Sequence, residues 1–147
     1  MFRDMGSVAP EHLDQLTEMS TTALRRVLES GQYVGWMASP IGEPGTIVAG
    51  AGVMLRRTLP FPRKWPDGSA DLVDGRQGLV MNVYTEPDFR RLGAARALMN
   101  EILAWARREK LESLVLHAAP DGRALYESLG FVDTNEMRFA GDLTKGD

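Results

Sequence analysis

GLVMNVYTEPDFRRLGAARALM, residues 78–99, holds in one run a strand, its abrupt stop and the opening of a helix. Gly78–Thr85 is rich in β-forming side chains, and Pro87 forbids its continuation as a central strand, since proline lacks the N–H that a ladder needs. From Arg91 to Lys110, Leu92, Ala95, Leu98, Met99, Ile102, Leu103 and Trp105 or Ala106 form one broad apolar stripe, which predicts a helix. Leu111–Ala118 follows, and its Leu114-Val115-Leu116 run suits a buried parallel strand. Gly78–Ala118 is therefore a strand–helix–strand unit, with a right-handed crossover expected.

The junction inside that unit, Thr85–Met99, carries the chemistry. Small residues at Gly93, Ala94 and Ala95 let a bulky anion approach the main chain. The first amides of a helix have no partner within it and donate to such an anion, aided by the helix dipole. Arg90, Arg91 and Arg96 supply counter-charge. Read from the residues alone, the junction is either a phosphate or pyrophosphate cradle or a plain strand-to-helix turn with solvated arginines. It is not a P-loop or a dinucleotide fingerprint, because neither GxxxxGK[ST] nor GxGxxG occurs.

Upstream, Pro10 opens a helical pattern in which Leu13, Leu16, Met19, Leu24, Val27 and Leu28 recur; Ser20-Thr21-Thr22 interrupts it, so one helix or two fit equally, ending at Gly31. Gln32–Ser39 and Thr46–Arg57 read as strands joined through the PIGEPG turn into a hairpin, and Gly50 and Gly52 predict a bulge or a close backbone approach. Leu59–Gln77 reads as a long loop, and its Phe61 and Trp65 make it a candidate for acceptor contact or simply a surface excursion. Downstream, Asp121–Leu129 is a short helix closed by Gly130, and Phe131–Leu143 is expected to add a strand or two. The expectation is an α/β (α+β type) mixed sheet within a single domain over residues 1–147.

Composition narrows the classes of function. With no cysteine, a disulfide scaffold, an all-cysteine zinc site and a thiol nucleophile are excluded. The net charge of −3 argues against nucleic acid as a general partner. The longest apolar run, Ile47–Leu55, is too short to span a bilayer, so no membrane partner is expected and the cytoplasm is the default location. His12 and His117 lie too far apart in sequence for a zinc site, and Asp67, Asp71 and Asp74 lack the closing glutamate of a calcium loop, so no metal is expected.

Arg90-Arg91-Leu92-Gly93-Ala94-Ala95 resembles the Q/R-x-x-G-x-G/A signature of the GNAT superfamily of acetyl-CoA-dependent N-acetyltransferases. Val83-Tyr84-Thr85-Glu86-Pro87 is similar to that family's cofactor-binding strand and its exit, and Leu125-Tyr126-Glu127-Ser128-Leu129-Gly130-Phe131 to its C-terminal LYExLGF segment. The resemblance is strong from Gly78 to Val132 and weak over the Tyr33–Arg57 hairpin. It implies a mostly antiparallel sheet with flanking helices and a parallel pair that splays apart. Acetyl-CoA would be the co-substrate, its pantetheine arm paired with Val83, Tyr84 and Thr85 and its pyrophosphate on the amides from Arg91 through Leu92, Gly93, Ala94 and Ala95 to Arg96.

The implied chemistry is direct acyl transfer to a primary amine of a small molecule or peptide. An amide on the Val83–Thr85 strand would receive the oxyanion, and Tyr126 would protonate the departing thiolate. The base stays open between Glu86 and His117, acting directly or through water, while Asn82 and Tyr84 could orient the amine. Three departures mark the chain: Ala119 replaces an asparagine that many members carry, Leu114-Val115-Leu116 holds no glutamate base, and the usual first strand is missing or reduced to Phe2–Val8. A homodimer is the family habit. A catalytically silent acyl-CoA sensor or interaction domain of the same fold is the alternative.

Overall fold

Prolines and glycines punctuate the chain much as the sequence predicts. The computed structural model describes residues 8–65, 67–134, 136–137 and 139–140. A single 3-10 turn over Pro10–His12 leads into helix α1 (Leu13–Glu29). Strands β1 (Tyr33–Ala38) and β2 (Ala49–Arg57) follow, then a short pair, β3 (Phe61–Lys64) and β4 (Ala70–Val73). Strand β5 (Arg76–Thr85), helix α2 (Ala94–Arg108) and strand β6 (Ser113–Leu116) complete the first of two compact units, which divide after His117. The second unit contains a 3-10 turn over Pro120–Gly122 and helix α3 (Arg123–Ser128).

The main sheet has the order β1-β2-β5-β6, antiparallel across the first two junctions and parallel between β5 and β6. This is the mixed α/β sheet that was expected. One face of α2 buries Leu98, Met99, Ile102 and Ala106, and Val53 and Val80 are buried in the sheet. Each of these side chains other than Ala106 contributes about 1.5–3 kcal/mol on burial. Trp36 and Trp105 meet edge to face, 5.2 Å between centroids, where α2 reaches β1.

One open reading is resolved and three expectations are corrected. The first helix is continuous, because Thr17 and Thr21 donate their hydroxyls to the carbonyls of Leu13 and Thr17, at 2.7 and 2.8 Å, and so remain compatible with the helix. Helix α2 starts at Ala94 rather than Arg91, since Arg91 (φ 63°) and Gly93 (φ 90°) are left-handed. Leu92 consequently leaves the apolar stripe and is 74% exposed. The Leu59–Gln77 segment is not a plain loop but holds the β3–β4 ladder, with Arg76 and Gln77 already in β5.

The described residues among Phe131–Leu143 carry no strand, and the remainder of that stretch lies outside the described residues. The reduced first strand, Phe2–Val8, likewise falls outside them except for Val8, which is a bend.

The strand glycines do what the sequence predicts. Between the pairs Gly50↔Tyr84 and Gly52↔Met81, the single residue Ala51 faces two residues of β5, Asn82 and Val83. This is a β-bulge, and Asn82 takes a left-handed φ of 58° in it. Gly52 is required for space: a Cβ there would lie 1.9 Å from the Tyr33 hydroxyl.

Candidate functional site

The register of β5 creates the opening. Its parallel pairing with β6 runs only from Gln77↔Ser113 to Val80↔Leu116, while β5 itself continues to Thr85. From Met81 to Thr85 one edge of the strand therefore has no ladder partner. On the other edge the Glu86 N–H donates to the Val48 carbonyl at 2.9 Å, and Tyr84 pairs with Gly50. Alternation along a strand then turns the main-chain groups of Val83 and Thr85 away from β2, into the gap. Asn82, at the bulge, and His117, immediately after β6, both stand where the two strands part.

Beyond Thr85 the chain makes a 3-10 turn, Pro87–Phe89, and enters the cradle. Arg90 Nε donates to the Thr85 carbonyl at 3.1 Å, and its guanidinium lies 5.9 Å from the Tyr84 ring centroid. Arg90 thus ties the end of β5 to the turn, a positioning task beside its expected role as counter-charge. The left-handed Arg91 and Gly93 then aim the chain into α2 without a side-chain cap. Among the described residues, no protein acceptor takes the amides of Arg91, Leu92, Gly93, Ala94 or Ala95; the first intrahelical bond is from Ala97 to Gly93 at 2.9 Å. A Cβ built on Gly93 meets nothing within 4 Å, so no side chain packs over that position of the turn. Uncapped amides at a helix start are the donor set an oxyanion requires.

Tyr84 donates its hydroxyl to Glu86 Oε2 at 3.2 Å, placing an exposed carboxylate beside the strand exit. Asn82 is held from below: its Nδ2 donates to the Tyr33 hydroxyl at 3.4 Å, and Tyr33 is 8% exposed. Tyr33 was not found from sequence, although Gly52, the glycine that makes room for it, was flagged as a close approach. The structure thus brings together, at one end of the first unit, Asn82, Val83, Tyr84, Thr85, Glu86, the 90–96 junction and His117.

Tyr126 belongs to the second unit, on α3. Its ring packs edge-on against Phe131, 6.0 Å between centroids, and burial pushes its phenol above the ordinary tyrosine value. The phenol therefore keeps its proton at neutral pH and is a competent donor. Phe61 and Trp65 sit elsewhere. The β3–β4 pair is inserted where Arg57 pairs with Arg76, and Thr85 is a further nine residues along β5, about 30 Å away along the strand. This placement removes the hairpin from the 85–96 junction.

Comparison with known proteins adds an independent line. The family model described as the acetyltransferase (GNAT) family matches residues 7–131. An uncharacterized N-acetyltransferase, ycf52, of Porphyra purpurea is 23% identical over 108 residues, covering 67% of this chain and 59% of the relative. The chain thus spans little more than half the length of that curated relative.

Among solved structures, a predicted acetyltransferase crystallised with acetyl-CoA from Clostridium acetobutylicum matches with TM-score 0.71 and 25% identity, over 96% of this chain and 83% of the other. A GCN5-related N-acetyltransferase from Ralstonia eutropha matches with TM-score 0.72 and 29% identity, over 96% and 86%.

Proposed function

Because the chain belongs to the acetyltransferase (GNAT) family, we propose that it moves an acetyl group from acetyl-CoA to a primary amine of a small molecule or peptide. The observation that carries this reading is the unpaired edge of β5, Met81–Thr85, leading directly into the uncapped amides of Arg91–Ala95. An extended chain with its own amide groups fits an open strand edge as an added strand would. The pantetheine arm has that chemistry, and the diphosphate at its far end has the charge that the cradle and the arginines at 90, 91 and 96 complement. The solved relative from Clostridium acetobutylicum binds the same co-substrate.

Catalysis then proceeds by direct attack. Asn82 and His117, at the fork, orient the acceptor amine, and Glu86 takes its proton directly or through water. The neutral nitrogen forms its bond to the thioester carbonyl carbon, and a main-chain amide of Val83–Thr85 donates to the oxyanion that develops. Collapse of the tetrahedral species breaks the carbon–sulfur bond, Tyr126 gives its proton to the thiolate, and the proton that the nitrogen sheds on becoming an amide passes through water to the Tyr126 phenolate.

A second reading, a silent acyl-CoA sensor, is favoured by one feature: β6 carries Ser113-Leu114-Val115-Leu116 and offers no carboxylate. A thiol-release assay over a panel of primary amines separates the two. Amine-dependent release of coenzyme A supports the enzyme. Acetyl-CoA binding without turnover on any amine supports the sensor, and failure to bind acetyl-CoA overturns both.

A further inference from the structure

We infer that Tyr33 is a positioning residue for the acceptor amine, acting through the side chain of Asn82. This role rests on the acetyl-transfer reading and concerns its acceptor end. Tyr33 stands on β1, separated from β5 by β2. Its ring crosses β2 at Gly52, where any Cβ would collide with the hydroxyl and the ring. Gly35, on the same strand as Tyr33, also leaves room, with a built Cβ 3.6 Å from the ring. The hydroxyl carried across in this way accepts a hydrogen bond from Asn82 Nδ2 at 3.4 Å. One aromatic side chain thus links three strands.

Packing alone does not explain the hydroxyl. Tyr33 is 8% exposed, and a phenylalanine would fill the same space without burying a polar group. A buried hydroxyl needs a partner, and among the described residues Asn82 is the one it has. Asn82, by contrast, is exposed, two residues beyond the last β5–β6 pair, with a left-handed φ of 58°. The ladder pairs Gly50↔Tyr84 and Gly52↔Met81 hold the main chain on either side of it. What Tyr33 adds is therefore the orientation of a side chain, not the path of the strand. With Nδ2 committed to Tyr33, Oδ1 is left to accept, and among the described residues no donor takes it. A carbonyl oxygen fixed in this way suits the N–H groups of an amine. It has nothing to offer a thioester carbonyl, which needs a donor. Tyr33 thus serves the acceptor nitrogen rather than acetyl-CoA.

Steady-state kinetics with the most active primary amine of the panel, together with acetyl-CoA calorimetry, test this role. Tyr33→Phe keeps the ring and removes the hydroxyl. Its KM for the amine should rise roughly fivefold, as loss of one neutral hydrogen bond does, while kcat moves less and the Kd for acetyl-CoA is unchanged. Asn82→Ala should raise the amine KM at least as much. Adding Tyr33→Phe to Asn82→Ala should then change nothing further, because no side chain remains to be oriented. The side-chain amide protons of Asn82, followed by NMR without substrate, should shift in Tyr33→Phe. A packing role predicts instead a lower Tm, both substrates affected alike and additive effects in the double variant. An unchanged amine KM in Tyr33→Phe, additivity, or Asn82 amide signals indifferent to the variant overturns the role of Tyr33 and leaves acetyl transfer standing. No amine-dependent turnover by the unaltered protein overturns the acetyl-transfer reading, and the role of Tyr33 with it.

Discussion

Gly93 and Arg91 are left-handed at adjacent bends of one turn, and the two positions differ in what they tolerate. Arg91 pays for its φ of 63° in strain, whereas Gly93 reaches 90° freely. Gly93→Ala should therefore lower stability by about 1 kcal/mol while leaving acetyl-CoA affinity within a few-fold, because the added methyl meets open space. Gly93→Glu adds the same strain and places a negative charge before the donors, so acetyl-CoA affinity should fall by roughly 100-fold, or about 2.7 kcal/mol. Equal affinity in the two variants, measured by calorimetry, would remove the cradle from the mechanism.

At Tyr126 the ring's packing against Phe131 is preserved by Tyr126→Phe, so only the proton is lost. Turnover should drop by roughly 100-fold with acetyl-CoA affinity unchanged, the size expected of one general acid. Since burial raises the phenol, the alkaline fall of kcat that Tyr126 causes should lie above the ordinary tyrosine range. Unchanged turnover in the variant would assign the ring to packing alone. The signature glycine and this tyrosine were both legible in sequence, because each sits in a short local motif. Tyr33 was not, because its partners Gly52 and Asn82 are brought to it by strand pairing.

The β3–β4 pair illustrates the same limit for an element. Three prolines and two glycines between Leu59 and Gln77 read as irregular chain, yet Phe61↔Val73 through Lys64↔Ala70 form a ladder. What holds it is distant in sequence. Arg63 Nη1 donates to the Glu112 carbonyl at 2.7 Å, and the Glu112 carboxylate receives the amides that follow β4. Arg63 also stacks over Trp65, 4.3 Å from the ring centroid, and Trp65 donates its indole N–H to Asp71 at 2.8 Å.

Burial pushes the Glu112 carboxyl upward, but the main-chain donors at Asp74, Arg76 and Gly75 outweigh it, and the group lies below the ordinary glutamate value. A depressed carboxylate contributes stability that is complete above its unfolded value, about 4.3, and is lost as pH falls through the folded one. Protection of the Asp74 and Arg76 amides from hydrogen exchange, taken relative to the intrinsic rate at each pH, should accordingly fall as the solution is acidified below pH of about 4. In Glu112→Gln those amides should exchange fast at neutral pH and lose that acid step. An acid step of the same size in the variant would show that Glu112 does not latch the hairpin.

For the whole molecule, the central feature is a strand pair whose partners part company at Val80 and Leu116. A fork within a sheet leaves main-chain donors and acceptors unpaired, which is costly unless water or a ligand satisfies them. Acetyl-CoA at 100 times its Kd should then raise stability by about 2.7 kcal/mol through mass action alone, read as an upward shift in Tm. An unshifted Tm at that excess would contradict occupancy of the fork. What the sequence determined by itself was local. Periodicity set α2 and the strands around it, Pro87 stopped β5, and the short motifs at 90–95 and 125–131 marked the family, because each depends on residues adjacent along the chain. What only the tertiary structure decided was pairing: where β6 leaves β5, that Tyr33 props Asn82, and that Glu112 receives the amides of Asp74 and Arg76. Those features depend on register and on contacts between residues tens of positions apart, and hydrophobic pattern alone does not specify either.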